Sequence, residues 1–197
     1  MKLLFKCVLL AGCLSTPLVR AQDAIHPRHN RPGLPLTVSV FSESISLPTL
    51  AKMQKGGVGI KIGTELYYRN RSGSQVFQAV SVGYYHHPRV QNGLFINSEL
   101  GYRKYFGGLY ADATIGGGAM LLQPMAPSYV RNETGGYQKA SSHQIKFMPT
   151  LGLGAGYRFR NHSAIFTRYE VFGEMPFSQI LLPHQALHLG ARLNFNK

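Results

Sequence analysis

The chain has 197 residues and a formal charge of +13, from 21 Lys and Arg against 8 Asp and Glu, yet charged residues make up only 15% of it. That length allows one domain with a sizeable core. No apolar stretch is long enough for a membrane-spanning helix, so any passage through a bilayer must be made by strands closed into a barrel.

The N-terminus reads as a secretory signal. Lys2 and Lys6 form its positive region, an apolar stretch runs to about Val19, and Val19-Arg20-Ala21 offers a small-residue cut before Gln22. A rival cut precedes Cys13, because Leu10-Ala11-Gly12-Cys13 resembles a lipoprotein box. Cleavage after Ala21 removes Cys7 and Cys13, which leaves no thiol for a disulfide or a metal. It also removes Lys2, Lys6 and Arg20, so 18 bases face 8 acids and the mature charge is +10. Nucleic acid is the usual partner of a basic chain, but an export signal and the lack of a basic helix argue against it. Anionic lipid or polysaccharide fits better.

Residues 22–35 form a polar tail containing Pro27, Pro32 and Gly33, with no apolar periodicity. From Leu36 onward, alternation predicts eight strands. They run Leu36–Ile45, Val58–Tyr68, Gln75–Tyr85, Leu94–Tyr105, Leu109–Leu121, Gln144–Arg158, Ala164–Phe172 and Ala186–Phe195. Each has about the length a tilted spanning strand needs. In the second, Val58, Ile60, Ile62, Thr64, Leu66 and Tyr68 share one face, with Lys61, Glu65 and Tyr67 on the other. The fourth sets Leu94, Ile96, Leu100 and Tyr102 against Asn97, Glu99 and Arg103. The third is ambiguous, because Gln78 shares a face with Val76, Val80 and Val82.

The connections alternate in length. Long ones span Ser46–Gly57, His86–Gly93, Leu122–His143 and Gly173–Gln185, and short ones Arg69–Ser74, Phe106–Gly108 and Phe159–Ser163. Long outer loops and short periplasmic turns characterise outer-membrane barrels. The expected fold is therefore all-β, an eight-stranded antiparallel up-and-down transmembrane barrel over residues 36–197. A lipid-facing Arg or Lys near the bilayer midplane costs about 2–4 kcal/mol, so the charged faces point into the lumen. The predicted lumen network comprises Glu65, Glu99, Arg103, Asp112, Arg158, Arg168, Glu170, His188 and Arg192, joined by Glu43, Lys61 and Lys146. An eight-strand barrel is just wide enough to be filled by side chains, so a plug of paired charges is expected rather than an open pore.

With these segments in place, the chain resembles small eight-strand outer-membrane barrels of the OmpA/OmpX type and, more closely, outer-membrane proteins of Bacteroidetes. The resemblance is carried by 57–65 (GVGIKIGTE), 82–86 (VGYYH), 99–103 (ELGYR), 151–157 (LGLGAGY) and 187–192 (LHLGAR). It implies fold and an outer-membrane location, and it supplies no activity. Residues 188–195 also resemble the C-terminal signal read by the barrel-assembly machinery, although Asn196 and Lys197 follow the aromatic Phe195.

Candidate chemistry is sparse. Lipid A deacylases of the outer membrane carry a histidine two residues before a catalytic serine, whereas His162 and Ser163 are adjacent and sit in a short turn. His86, His87, His143 and His184 fall in or beside outer loops and read as solvated loop residues. No catalytic residue, cofactor or metal is assigned. The longest loop, residues 122–143, mixes Tyr129, Arg131, Tyr137 and Lys139, and with Arg89 these are the candidate ligand-binding residues. The function read from the sequence is non-enzymatic: a monomeric structural or surface-interaction barrel whose loops meet lipopolysaccharide or an external ligand. A lipid-modifying enzyme and a narrow solute channel are the alternatives.

Overall fold

A computed structural model describes residues 33–45, 56–88, 90–126, 129–131, 136–139, 143–177 and 180–195. The signal segment, both cysteines and most of the polar tail lie outside the described residues. Eight long strands close on themselves. In chain order they are β1 (Leu36–Ser44), β2 (Gly57–Asn70), β3 (Ser74–His87), β4 (Gln91–Phe106), β5 (Leu109–Pro124), β8 (Gln144–Arg158), β9 (Ala164–Phe177) and β10 (Ile180–Leu193). Two short strands, β6 (Tyr129–Arg131) and β7 (Tyr137–Lys139), pair as a separate hairpin inside the connection from β5 to β8. The barrel order is β1-β10-β9-β8-β5-β4-β3-β2, and every pairing is antiparallel. β1 seals the barrel against β10 from Leu36↔Leu193 to Ser44↔Gln185. This is the all-β up-and-down architecture expected from the alternation.

One end of the barrel carries the short turns at 71–73, 107–108 and 159–163 together with Leu36 and Leu193. We call it the turn end and the opposite end the loop end. The described loop-end connections are shorter than the sequence suggests. Residues 173–185 were expected to form the fourth long loop, yet β9 continues to Phe177 and β10 begins at Ile180. Pro176 and Pro183 hid this extension, since proline normally breaks a ladder. The ladder tolerates Pro183 because β1 stops pairing at Gln185, so among the described residues this part of β10 has a strand partner only in β9. The second long connection shrinks likewise, because β3 reaches His87 and β4 starts at Gln91.

The faces follow the two-residue period. Val58, Ile62, Ile96, Leu100, Ile115, Leu151, Leu153 and Leu189 point outward and are exposed, Leu189 to 67%. Together they make an apolar band far larger than the scattered apolar residues of an ordinary soluble surface. In β3, Gln75, Phe77, Ser81 and Tyr85 are buried inward, which places Gln78 on the outer face. There its amide is satisfied: Tyr68 Oη donates to Gln78 Oε1, and Gln78 Nε2 donates to Ser98 Oγ at 2.7 Å.

The lumen is filled by more than charge. Phe41, Tyr85, Phe95, Met120, Leu122, Met148, Phe172 and Ala186 form an apolar cluster in its loop-end half. Large rings fit inside so narrow a barrel because glycines stand opposite them. A Cβ at Gly83 would meet the Phe95 ring at 2.2 Å, and one at Gly101 the Phe77 ring at 2.3 Å.

Candidate functional site

The lumen's polar side chains sort into three tiers. At the turn end Arg103 is 1% exposed and is the hub. Its Nη1 and Nη2 donate to Glu65 Oε2 and Oε1 at 2.9 and 2.8 Å. Its Nε and Nη2 donate to Asp112 Oδ2 at 3.0 and 2.9 Å. Register explains part of this, since Arg103 stands directly opposite Asp112 in the β4–β5 hairpin and opposite Gln75 on β3. The guanidinium also lies 4.3 Å from the Phe77 ring centroid and 4.9 Å from that of Tyr110. Arg192 Nη1 adds a bond to Glu65 Oε2 at 3.2 Å, and Tyr67 Oη donates to the same oxygen at 2.7 Å. Arg158 meets the tier through a ring, its guanidinium 3.9 Å over Tyr105. Fork-shaped, charge-assisted bonds of this kind fix orientation as well as energy.

In the middle tier Lys61 Nζ donates to Glu170 Oε2 at 2.7 Å and to Glu99 Oε1 at 3.4 Å. Arg168 reaches Glu99 at 3.5 Å and Asp112 at 3.6 Å. It has room to do so because Gly152 and Gly154 face inward on β8, where a Cβ on Gly154 would meet Asp112 Oδ1 at 2.3 Å. His188 lies 3.6 Å from Glu170 and packs its ring at a tilt of 31° against Phe41, with centroids 4.6 Å apart. Ser39, Lys61, Ser81, Glu99, Arg168 and His188 are among the residues lining a cavity of about 30 Å³. That is room for about two waters.

The loop-end tier was not anticipated. His184 and Glu174 belong to the predicted loop 173–185, yet both are buried inside the barrel at 0% and 1% exposure. His184 bridges two carboxylates, Nδ1 to Glu43 Oε1 at 2.7 Å and Nε2 to Glu174 Oε1 at 2.9 Å. His87 Nδ1 takes the second oxygen of Glu43 at 2.7 Å, and Gln91 Nε2 donates to Glu174. Phe172 stacks on the His184 ring at 4.8 Å and 11°. The expected reading of His87 and His184 as solvated loop histidines is therefore corrected. His86 does stay on the outer face, with Nδ1 2.7 Å from Asn92 Oδ1, and His143 is exposed. The missed signal was parity. Glu170, Phe172 and Glu174 share one face, as do His184, Ala186 and His188, so the alternation continued through the prolines.

Among the described residues no group of three or more His, Cys, Asp and Glu is arranged to hold a metal ion. His162 is exposed and has φ 64° in the turn before β9, with Ser163 N donating to Asn161 Oδ1 at 3.1 Å. All six described acids are buried in the lumen, so none joins this His-Ser pair.

Of the candidate ligand-binding residues, Arg89 lies outside the described residues. The other four occupy the loop hairpin, where Tyr129 stands opposite Lys139 and Arg131 opposite Tyr137. The two pairs are separated only by Val130↔Gln138.

No protein-family model matches the sequence, and no curated protein matches it. Solved structures do. The chain is similar to Neisserial surface protein A at 12% identity, with a TM-score of 0.53, covering 82% of this chain and 96% of that one. It is similar to Ail, the attachment invasion locus protein of Yersinia pestis, at 12% identity and a TM-score of 0.52, covering 82% and 97%. The outer membrane enzyme PagL matches at 13% identity and a TM-score of 0.48, covering 81% and 98%. At these identities the likeness is one of fold, and that fold is the small eight-strand barrel of outer-membrane proteins.

Proposed function

We propose that the chain is an exported, monomeric barrel of a bacterial outer membrane, with a non-enzymatic role at the cell surface. In this reading residues 1–21 are the signal, residues 22–35 the periplasmic tail, and residues 188–195 the segment presented to the barrel-assembly machinery. The exposed apolar band contacts lipid, which is why so many leucines and isoleucines face outward. The lumen tiers, Arg103 and Lys61 above all, hold the barrel closed and rigid.

The loop hairpin 129–139 is the proposed binding element, and its register is the observation that carries the proposal. It places two tyrosines and two cations in neighbouring cross-strand pairs, Tyr129–Lys139 and Arg131–Tyr137. Aromatic faces suit sugar rings and cations suit phosphate or carboxylate, so the ligand class is an acidic saccharide such as lipopolysaccharide. Arg89 is assigned to the same role on its chemistry.

The test is binding of the purified barrel to lipopolysaccharide, compared with an R131A/K139A variant and a Y129A/Y137A variant. Weaker binding in both, steepest at low salt for the charge variant, supports the assignment. Undiminished binding in both sinks it. A protein that fractionates as soluble, with identical gel mobility before and after boiling, sinks the membrane reading itself.

A further inference from the structure

The described acids all lie in the lumen, where Lys61, Arg103, Arg168 and Arg192 partner them, so the exposed charges among the described residues are all basic. Glu43, Glu65, Glu99, Asp112, Glu170 and Glu174 are all buried, whereas Arg69, Arg71, Lys104 and Arg160 are exposed. All four of these cations lie at the turn end, and three of them are neighbours across β2, β3 and β4. Arg69 stands opposite Val76, whose partner on the other side is Tyr102. Two residues beyond Tyr102 is Lys104, opposite Ser74, and Arg71 N donates to Ser74 O at 2.9 Å. Tyr68 and Tyr102, 66% and 51% exposed, border the group.

From this rim a hydrogen-bonded line runs up the outer face, from Tyr68 Oη to Gln78 and from Gln78 to Ser98 Oγ. Gln78 and Ser98 meet each other there, yet each keeps a donor for an outside acceptor, the second Gln78 N–H and the Ser98 O–H, and closing the barrel asks for neither residue. Cations at the rim, tyrosines at the boundary and a short polar line leading into the band follow the order of an anionic phospholipid. Its phosphate lies outermost, then glycerol and ester carbonyls, then acyl chains.

We propose that the turn-end face of β2–β4 binds the headgroup of an anionic phospholipid. Arg69, Arg71 and Lys104 meet its negative charge, and Gln78 and Ser98 meet its ester region. The inference rests on the reading of the chain as a membrane barrel, and it is independent of the loop hairpin at the other end.

The experiment is native mass spectrometry of the full mature barrel in detergent, offered equal amounts of phosphatidylglycerol and phosphatidylcholine with identical acyl chains. Each cation near an anionic surface is worth about fivefold in binding, so the wild type should retain phosphatidylglycerol over phosphatidylcholine by well over fivefold. An R69Q/R71Q/K104Q variant should fall to near parity, while R160Q, which removes a cation from a different turn, should keep the preference. Gln78→Ala should reduce total lipid retention without removing the headgroup preference. Parity in a wild type whose gel mobility shifts on boiling overturns the lipid site and leaves the membrane reading standing. Equal losses in R160Q and the triple variant also overturn it, because the effect would then be diffuse charge. Displacement of phosphatidylglycerol by inorganic phosphate alone would make this a free-anion site and overturn the lipid assignment. A wild type with no mobility shift and no need of detergent fails at the membrane reading, and this inference falls with it.

Discussion

Arg103 grips Glu65 with both terminal nitrogens, at 2.9 and 2.8 Å, from 38 positions further along the chain. The same guanidinium holds Asp112, so one cation faces two buried carboxylates while Arg192 approaches Glu65 from the closing strand. Removing Arg103 leaves Glu65 with Arg192 and Tyr67, and Asp112 with only a 3.6 Å approach from Arg168, which Glu99 shares. Breaking a buried pair by deleting one member costs about 3–5 kcal/mol. Arg103→Leu should therefore lower the urea midpoint of the barrel in lipid vesicles, read by loss of the fast-migrating folded band. Arg103→Lys should recover little of the loss, because an ammonium cannot span both Glu65 oxygens and Asp112 as a planar fork does. A lysine variant as stable as wild type would show that charge alone matters here.

The His184 bridge gives a sharper contrast. A neutral imidazole has one N–H donor, while the imidazolium has two and can serve Glu43 and Glu174 together. Glu174→Gln replaces one acceptor with a group that can donate to the ring, so a neutral His184 then satisfies both neighbours. That variant should stay within about 1 kcal/mol of wild type, whereas His184→Ala leaves two buried carboxylates facing each other and should cost about 3–5 kcal/mol. The comparison is made by equilibrium unfolding of both variants in the same vesicles. Equal losses would mean that packing against Phe172, rather than the hydrogen bonds, fixes this ring.

These two clusters differ in how visible they were beforehand. Arg103, Glu65 and Asp112 sit in strands with clean alternation, where the cost of a charge on an apolar outer face decides which way each points. The loop-end cluster lies where Gly173, Pro176 and Pro183 interrupt the pattern, so the sequence there reads as loop while the backbone pairs as strand. Gln78 was ambiguous because one polar residue among valines carries no phase of its own, and only its partners Tyr68 and Ser98 reveal its face. The inward rings of Phe41, Phe77 and Phe95 were hidden for another reason. Their places depend on glycines in the adjacent strand, and strand register is not written in any single segment.

Register of that kind can be tested at Gly101. A Cβ there meets Phe77 Cζ at 2.3 Å, and the ring cannot simply swing aside because Arg103 lies over it at 4.3 Å. Gly101→Ala should destabilise the barrel by about 1–3 kcal/mol, the usual range for overpacking. Phe77→Leu in the same chain should restore part of that loss, although Phe77→Leu alone is destabilising. The readout is the sign of the coupling energy in the double-mutant cycle. Additive losses would show that the ring does not sit over this glycine.

The lumen is closed at more than one height, and this bears on the channel alternative. Arg103 and its carboxylates obstruct the turn-end half, Lys61 with Glu99 and Glu170 the middle, and the cluster around Phe95, Met120 and Met148 the loop-end half. A solute path needs all three to open together. Recordings from the wild-type barrel in planar bilayers should show no sustained conductance steps, at low or high salt. Screening weakens only the solvent-exposed part of an ionic plug and leaves an apolar one unchanged. K61A/E170A widens the middle tier alone, so it too should remain silent, with only its unfolding midpoint lowered. Sustained conductance in the wild type would contradict a filled lumen. Conductance only in K61A/E170A would show that the middle tier is the sole seal and that the aromatic cluster above it leaks.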